Sequence, residues 1–90
     1  MVKYEIGDLV KIVHPGATYT TYNTMFKRLN FKNKSRNGIP NMDDICTIFA
    51  IEKRGISDDL YGLRYEDKEY LVSEKAFILV KKKNTIYELW

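Results

Sequence analysis

Short β-rich segments bounded by turn residues recur along this chain and constrain its fold more than any other feature. In each segment, branched and aromatic residues predominate, several of them alternating with polar ones, a pattern that favours strands. The segments are LVKIV at 9–13, ICTIFAI at 45–51, a hairpin LYGLRYEDKEYLV at 60–72 with its turn at 66–68, and FILV at 77–80. Five short strands at close spacing predict a small, mainly β barrel. A small mixed α+β sheet is the alternative fold.

The long interval after the first strand contains the only helical pattern in the sequence. His14 to Ala17 reads as a type II turn, with Pro and Gly in its central positions. Thr20 or Thr21 can cap a helix, and an apolar stripe follows at helical spacing, formed by Tyr22, Met25, Phe26 and Leu29. We therefore expect one domain over 1–80, a helix-and-loop insertion at 16–42, and a basic-apolar tail at 81–90.

Charge is unevenly distributed in this 90-residue chain, although its net charge is only +3. Residues 24–42 carry five basic side chains and no acidic one, whereas residues 43–80 carry five basic and nine acidic side chains. Such segregation can steer an anionic partner to the basic segment. A solvated basic loop without a ligand is the alternative interpretation.

Catalytic and metal-binding patterns are weak. His14 is the single His and Cys46 the single Cys, and adjacent carboxylates such as Asp43 and Asp44 face opposite ways on an extended chain. Cys46 lies in an apolar run, which predicts a buried, inert thiol, while the role of His14 stays open. We expect no enzymatic activity, no metal and no cofactor. The sequence lacks a long apolar segment, so a cytoplasmic location is expected.

Four segments, YEIGDLVKIV, DICTIFAI, LYGLRYEDKEYLV and SEKAFILV, together resemble SH3-like barrels. The shared features are a Gly-Asp turn before the first strand, a hairpin with an acidic turn, and a helical turn before the last strand. The resemblance covers residues 4–80 and is strongest to small barrel proteins encoded by bacteriophages and prophages. It implies a five-stranded SH3-like barrel with a short α-helix inserted after strand 1. SH3-like barrels bind peptides, nucleic acids and small ligands, so the resemblance leaves the ligand open.

A candidate ligand site lies at the predicted helix start. Helix N-termini attract anions, Thr hydroxyls can donate to them, and Tyr rings can stack on a base. The candidate residues are Thr18, Tyr19, Thr20, Thr21, Tyr22, Lys27, Arg28 and Arg36. The expected ligand is a nucleotide or a nucleic acid, bound without base-specific readout. Helix capping by Thr and barrel covering by Tyr explain the same residues without a ligand.

The tail ends in bulky apolar side chains, which either fold back on the barrel or form an association surface. These residues are Ile86, Tyr87, Leu89 and Trp90. The resemblance to phage proteins implies a counter-defence role, the sequestration of a nucleotide immune signal. The alternative is a protein–protein module that inhibits a host enzyme or joins a phage assembly. Homo-oligomerisation through the tail is a further expectation.

Overall fold

A computed structural model describes residues 4–19, 39–55 and 59–83, and these form one curled antiparallel sheet. The strands are β1 Leu9–Ile12, β2 Thr18–Tyr19, β3 Ile45–Glu52, β4 Leu60–Tyr65, β5 Lys68–Ser73 and β6 Phe77–Lys81. Their order across the sheet is β2-β5-β4-β3-β1-β6. The prediction of a mainly β fold is confirmed. None of the helices in the described ranges has the length and apolarity needed to cross a membrane.

The described residues already form six strands, so the prediction of five strands is wrong. The additional strand is β2, whose two residues pair with β5 through Thr18–Val72 and Tyr19–Leu71. Two residues cannot show the alternation that identifies a strand in a sequence, which needs about four positions. The α-helix predicted over 20–29 lies outside the described residues. Within the described ranges, the helical segments are two 3₁₀ turns, Pro15–Ala17 and Glu74–Ala76.

The structure differs from two of the predicted turns and confirms a third. The type II turn at residues 14–17 is wrong, because Gly16 does not take the positive φ that this turn requires. Instead, the N–H of Ala17 donates to the carbonyl of His14 at 3.1 Å, closing a 3₁₀ turn. The helical turn predicted before the last strand is confirmed at Glu74–Ala76. The hairpin turn is one residue shorter than predicted, since Tyr65 already pairs with Lys68.

The concave face of the sheet holds the main core. In β1, Val10 and Ile12 are buried as the alternation predicted. Tyr4, Tyr61 and Phe77 form an edge-to-face aromatic group with ring centroids 4.9–5.5 Å apart. Cys46 is fully buried, and burial raises the pKa of its thiol to about 12, so the predicted buried thiol is confirmed. A protonated, inaccessible thiol of this kind is chemically inert.

A buried carboxylate, Asp8, ties the start of the sheet to its end. Its Oδ2 accepts hydrogen bonds from the N–H of Glu5 and from Nζ of Lys82, both at 2.8 Å. Its Oδ1 accepts from the N–H of Lys83 at 3.1 Å. Lys82 also pairs with Glu5, at 3.1 Å. The ordered structure therefore continues past β6 through Lys83, and we call these contacts the Asp8 link.

Candidate functional site

A bulge in β3 places two consecutive side chains, Phe49 and Ala50, on the face opposite the main core. The β3–β4 register shifts between Ile48 and Ala50, and Phe49 lies at this shift. Ile48 and Ile51 pack in or against the main core on either side of the bulge. Phe49 instead packs on the opposite face of the sheet, against a second apolar group of Ala50, Leu60 and Leu71. The bulge thus creates a separate cluster on the outer face.

The outer cluster consists of Tyr19, Phe49, Gly62, Arg64 and Glu69. Phe49 lies against the backbone of Gly62, where a Cβ atom would come within 2.9 Å of Cζ of the Phe49 ring. The guanidinium carbon of Arg64 is 4.5 Å from the centroid of the same ring, which is a cation–π geometry. Because Gly62 has no side chain, the Phe49 ring can lie against the backbone of β4 beside Arg64.

Arg64 is held in place by an acidic neighbour on the adjacent strand. Arg64 and Glu69 are directly opposite in the β4–β5 ladder, and Nη2 of Arg64 lies 2.9 Å from Oε2 of Glu69. The Glu69 side chain is 4% exposed, whereas that of Arg64 is 40% exposed. A buried carboxylate needs such a partner, and the pair fixes the guanidinium plane. This contact uses one of the five N–H donors of Arg64.

Two of the predicted ligand residues lie within the described ranges, next to this cluster. Tyr19 is half-buried and packs against the apolar group of the outer face, opposite Leu71. Thr18 donates its hydroxyl to the carbonyl of Pro15 at 2.8 Å, so this donor serves the turn. The other candidates lie outside the described residues: Thr20, Thr21, Tyr22, Lys27, Arg28 and Arg36, and in the tail Ile86, Tyr87, Leu89 and Trp90.

Phe49, Arg64 and Glu69 were not predicted as site residues. The Arg64–Glu69 pair had a signal, because a two-residue turn at Glu66 and Asp67 places these residues opposite each other. The predicted three-residue turn at 66–68 would instead place Arg64 opposite Tyr70. The outward orientation of Phe49 had a signal in its alternation with Cys46 and Ile48, whereas that of Ala50 had none, because a bulge interrupts the two-residue period.

Gly62→Ala should lower the free energy of unfolding by about 1 to 3 kcal/mol, the usual range for overpacking. The added Cβ would lie 2.9 Å from Phe49 Cζ and 3.1 Å from Ala50 Cβ, so the ring must shift from its present position. Urea unfolding gives the stability, and the aromatic proton shifts of Phe49 report the ring movement. Gly16→Ala is the matched control, because a Cβ there meets nothing within 4 Å. Equal stabilities for both variants would contradict the assigned packing.

Other candidate chemistry is less developed in the described ranges. His14 is exposed at the start of the first 3₁₀ turn, and Asp44 accepts a hydrogen bond from the N–H of Asn41 at 3.0 Å. No group of three or more His, Cys, Asp or Glu in the part of the chain that the structure describes is arranged to hold a metal ion. Comparison with family models, curated proteins and solved structures finds no match to this chain.

Proposed function

We propose that the protein is a non-enzymatic, SH3-like module that binds an anionic ligand, a nucleotide or nucleic acid, and that the outer cluster and the basic segment 24–42 both contribute to binding. The small, curled antiparallel sheet is compatible with an SH3-like module. The proposal rests mainly on one observation: half-buried Tyr19 and Phe49 lie on the outer face with a partly exposed Arg64.

Stacking is the first contribution of this surface. Aromatic rings with an accessible face bind bases at about 1 to 3 kcal/mol per base, with little sequence preference. Tyr19 is the last described residue before the basic segment, so a ligand stacked there is also close along the chain to that segment. The predicted stacking partner Tyr22 follows three residues later in the sequence.

Charge is the second contribution, and it comes from the sequence beyond Tyr19. Glu69 neutralises Arg64 at 2.9 Å, so Arg64 adds hydrogen-bond donors but little net charge. The net positive charge needed by an anion is that of segment 24–42, in which the predicted contacts are Lys27, Arg28 and Arg36. In a phage setting, the same binding would sequester a nucleotide immune signal.

Binding should be strongly salt-dependent. Three phosphate contacts predict that affinity for single-stranded nucleic acid falls about 20-fold between 50 and 200 mM salt. Fluorescence anisotropy of a labelled single-stranded oligonucleotide measures this fall, and competition with cyclic and linear nucleotides separates the ligand classes. Arg28→Gln combined with Arg36→Gln should weaken binding and flatten the salt dependence.

The matched control removes two positive charges elsewhere, with Arg54→Gln combined with Lys68→Gln. Both residues are exposed, and the side chain of Lys68 alternates with that of Glu69 in β5, which places it on the other face of the sheet. Tyr19→Leu, which keeps an apolar side chain against Leu71, should weaken binding without changing the salt slope. Equal losses in the control and test variants, or no saturable binding by any nucleotide or oligonucleotide, would refute the proposal.

A further inference from the structure

The last strand, β6, is an edge strand with exposed apolar side chains. In the described residues it pairs with β1 and with no other strand. Its side chains alternate, since Phe77 is buried whereas Ile78 and Val80 are 48% and 50% exposed. Edge strands offer unpaired backbone groups to another extended chain. The opposite edge, β2, has two residues within the described ranges.

The sheet face beside this edge has a mixed apolar and basic surface. Lys11 in β1 is opposite both Ile45 in β3 and Ile78 in β6, so the three side chains form a row across three strands. Ile45 is 44% exposed. A chain added next to β6 would extend this row and cover Ile78 and Val80. Burial of these side chains supplies the apolar part of an interface.

The end of β6 carries three Lys side chains beside two carboxylates, Asp8 and Glu5, and borders a small cavity. The cavity has a volume of about 260 Å³ and is lined by Gly7, Leu9, Lys81, Lys82 and Lys83. Lys82 is held by Asp8 and Glu5, so its charge is neutralised. Lys81 and Lys83 are exposed, and the stem of Lys83 packs beside Gly7. An acidic partner is therefore complementary to this end of the strand.

We propose that β6 accepts an extended acidic peptide as a seventh, antiparallel strand. Because the peptide runs opposite to β6, its N-terminal residues lie beside Lys81 and Lys83, and these residues are Asp or Glu. Its following residues alternate branched apolar and polar side chains, and the apolar ones cover Ile78 and Val80. Backbone hydrogen bonds supply affinity in this mode, and side chains supply selectivity.

Synthetic peptides test the proposal on the full chain by fluorescence anisotropy. The probe is a labelled nine-residue peptide with three N-terminal acidic residues followed by alternating Val and Thr. A matched peptide carries Lys in place of the acidic residues. We expect saturable binding of the acidic peptide only. N-methylation of alternate residues in the Val-Thr part should abolish binding for one set of alternate positions and spare the other, because only one set faces β6.

Charge-reversal variants locate the binding surface. Lys81→Glu combined with Lys83→Glu should weaken binding of the acidic peptide at least tenfold. Arg54→Glu combined with Lys68→Glu makes the same change in net charge elsewhere and should leave binding within twofold. Equal weakening by both pairs would overturn the proposal, as would equal binding of both N-methylated sets. A concentration-dependent dimer in sedimentation that Val80→Lys dissociates and the peptide does not displace would also overturn it, in favour of a second copy.

Discussion

Replacing Phe77 with Ala should lower the free energy of unfolding by about 3 to 5 kcal/mol, the range for truncating a buried aromatic side chain. Phe77 is 2% exposed and its ring contacts those of Tyr4 and Tyr61, so one cavity would loosen β6, β4 and the segment before β1 together. For a domain of this size, such a loss corresponds to a melting temperature about 15 to 30 °C lower. Urea titration and a thermal scan, both followed by circular dichroism, measure the change.

Two further substitutions in β6 test whether the loss of stability comes from removing the buried ring itself. Phe77→Leu keeps an apolar side chain in the core and should cost less than half as much as Phe77→Ala. Val80→Ala alters an exposed side chain three positions away and should stay within about 0.5 kcal/mol of the unchanged protein. If Val80→Ala proved as destabilising as Phe77→Ala, the assignment of the two faces of β6 would be wrong.

Replacing Asp8 with Asn should lower the free energy of unfolding by about 2 to 4 kcal/mol, because a buried, charged hydrogen-bond acceptor is removed. The carboxylate accepts three hydrogen bonds through both of its oxygens. An amide has one oxygen, so its NH₂ group would face a donor. Glu5→Gln is the matched control, because Glu5 contacts the same Lys82 from an exposed position and should cost less than about 1 kcal/mol. Similar costs for the two variants would contradict the Asp8 link.

At acid pH, the difference in the free energy of unfolding between the unchanged protein and Asp8→Asn should disappear. Burial alone would raise the pKa of Asp8, but the hydrogen bonds from Lys82 and from the N–H groups of Glu5 and Lys83 outweigh it and hold the pKa below its ordinary value. Because the pKa of Asp8 is lower in the folded state, the ionised carboxylate stabilises the fold at pH values above its unfolded pKa of about 3.9. This stabilisation is lost as the pH falls through the folded pKa. The stability gap should therefore narrow between about pH 5 and pH 2. The pKa of Asp59 is also lowered, by hydrogen bonds from the N–H of Arg54 and from Lys53. Because both proteins contain Asp59, its contribution cancels in the stability difference between them.

Much of the sheet was predictable because its signals are local. Alternation in β1 identified Val10 and Ile12 as buried, and the apolar run of β3 identified Cys46. In β4, Tyr61 and Leu63 alternate with Gly62 and Arg64, and the structure places the two sets on opposite faces. The turn before β6 followed from SEKA, where Ser73 accepts a hydrogen bond from the N–H of Lys75.

The remaining features depend on contacts between distant segments, which a sequence pattern does not encode. Asp8 was read as a turn residue, but its partners Lys82 and Lys83 are 74 and 75 positions away. The outer cluster depends partly on the β3 bulge, which keeps Ala50 on the same face as Phe49 and returns Ile51 to the main core. Tyr19 was predicted as a site residue from the chemistry of its own segment, whereas the apolar group that it packs against, Ala50, Leu60 and Leu71, comes from three other strands.

The Asp8 link and the pairing of β1 with β6 also bear on how the chain folds during synthesis. β1 is made first, yet its place between β3 and β6 is filled only when residues 77–83 have left the ribosome. Until then, one edge of β1 has no partner, and the carboxylate of Asp8 lacks its ammonium group. Folding during synthesis therefore cannot complete the sheet until β6 has left the ribosome. Before that point the nascent chain exposes the unpaired edge of β1, an aggregation-prone surface of the kind that chaperones recognise in incomplete β domains.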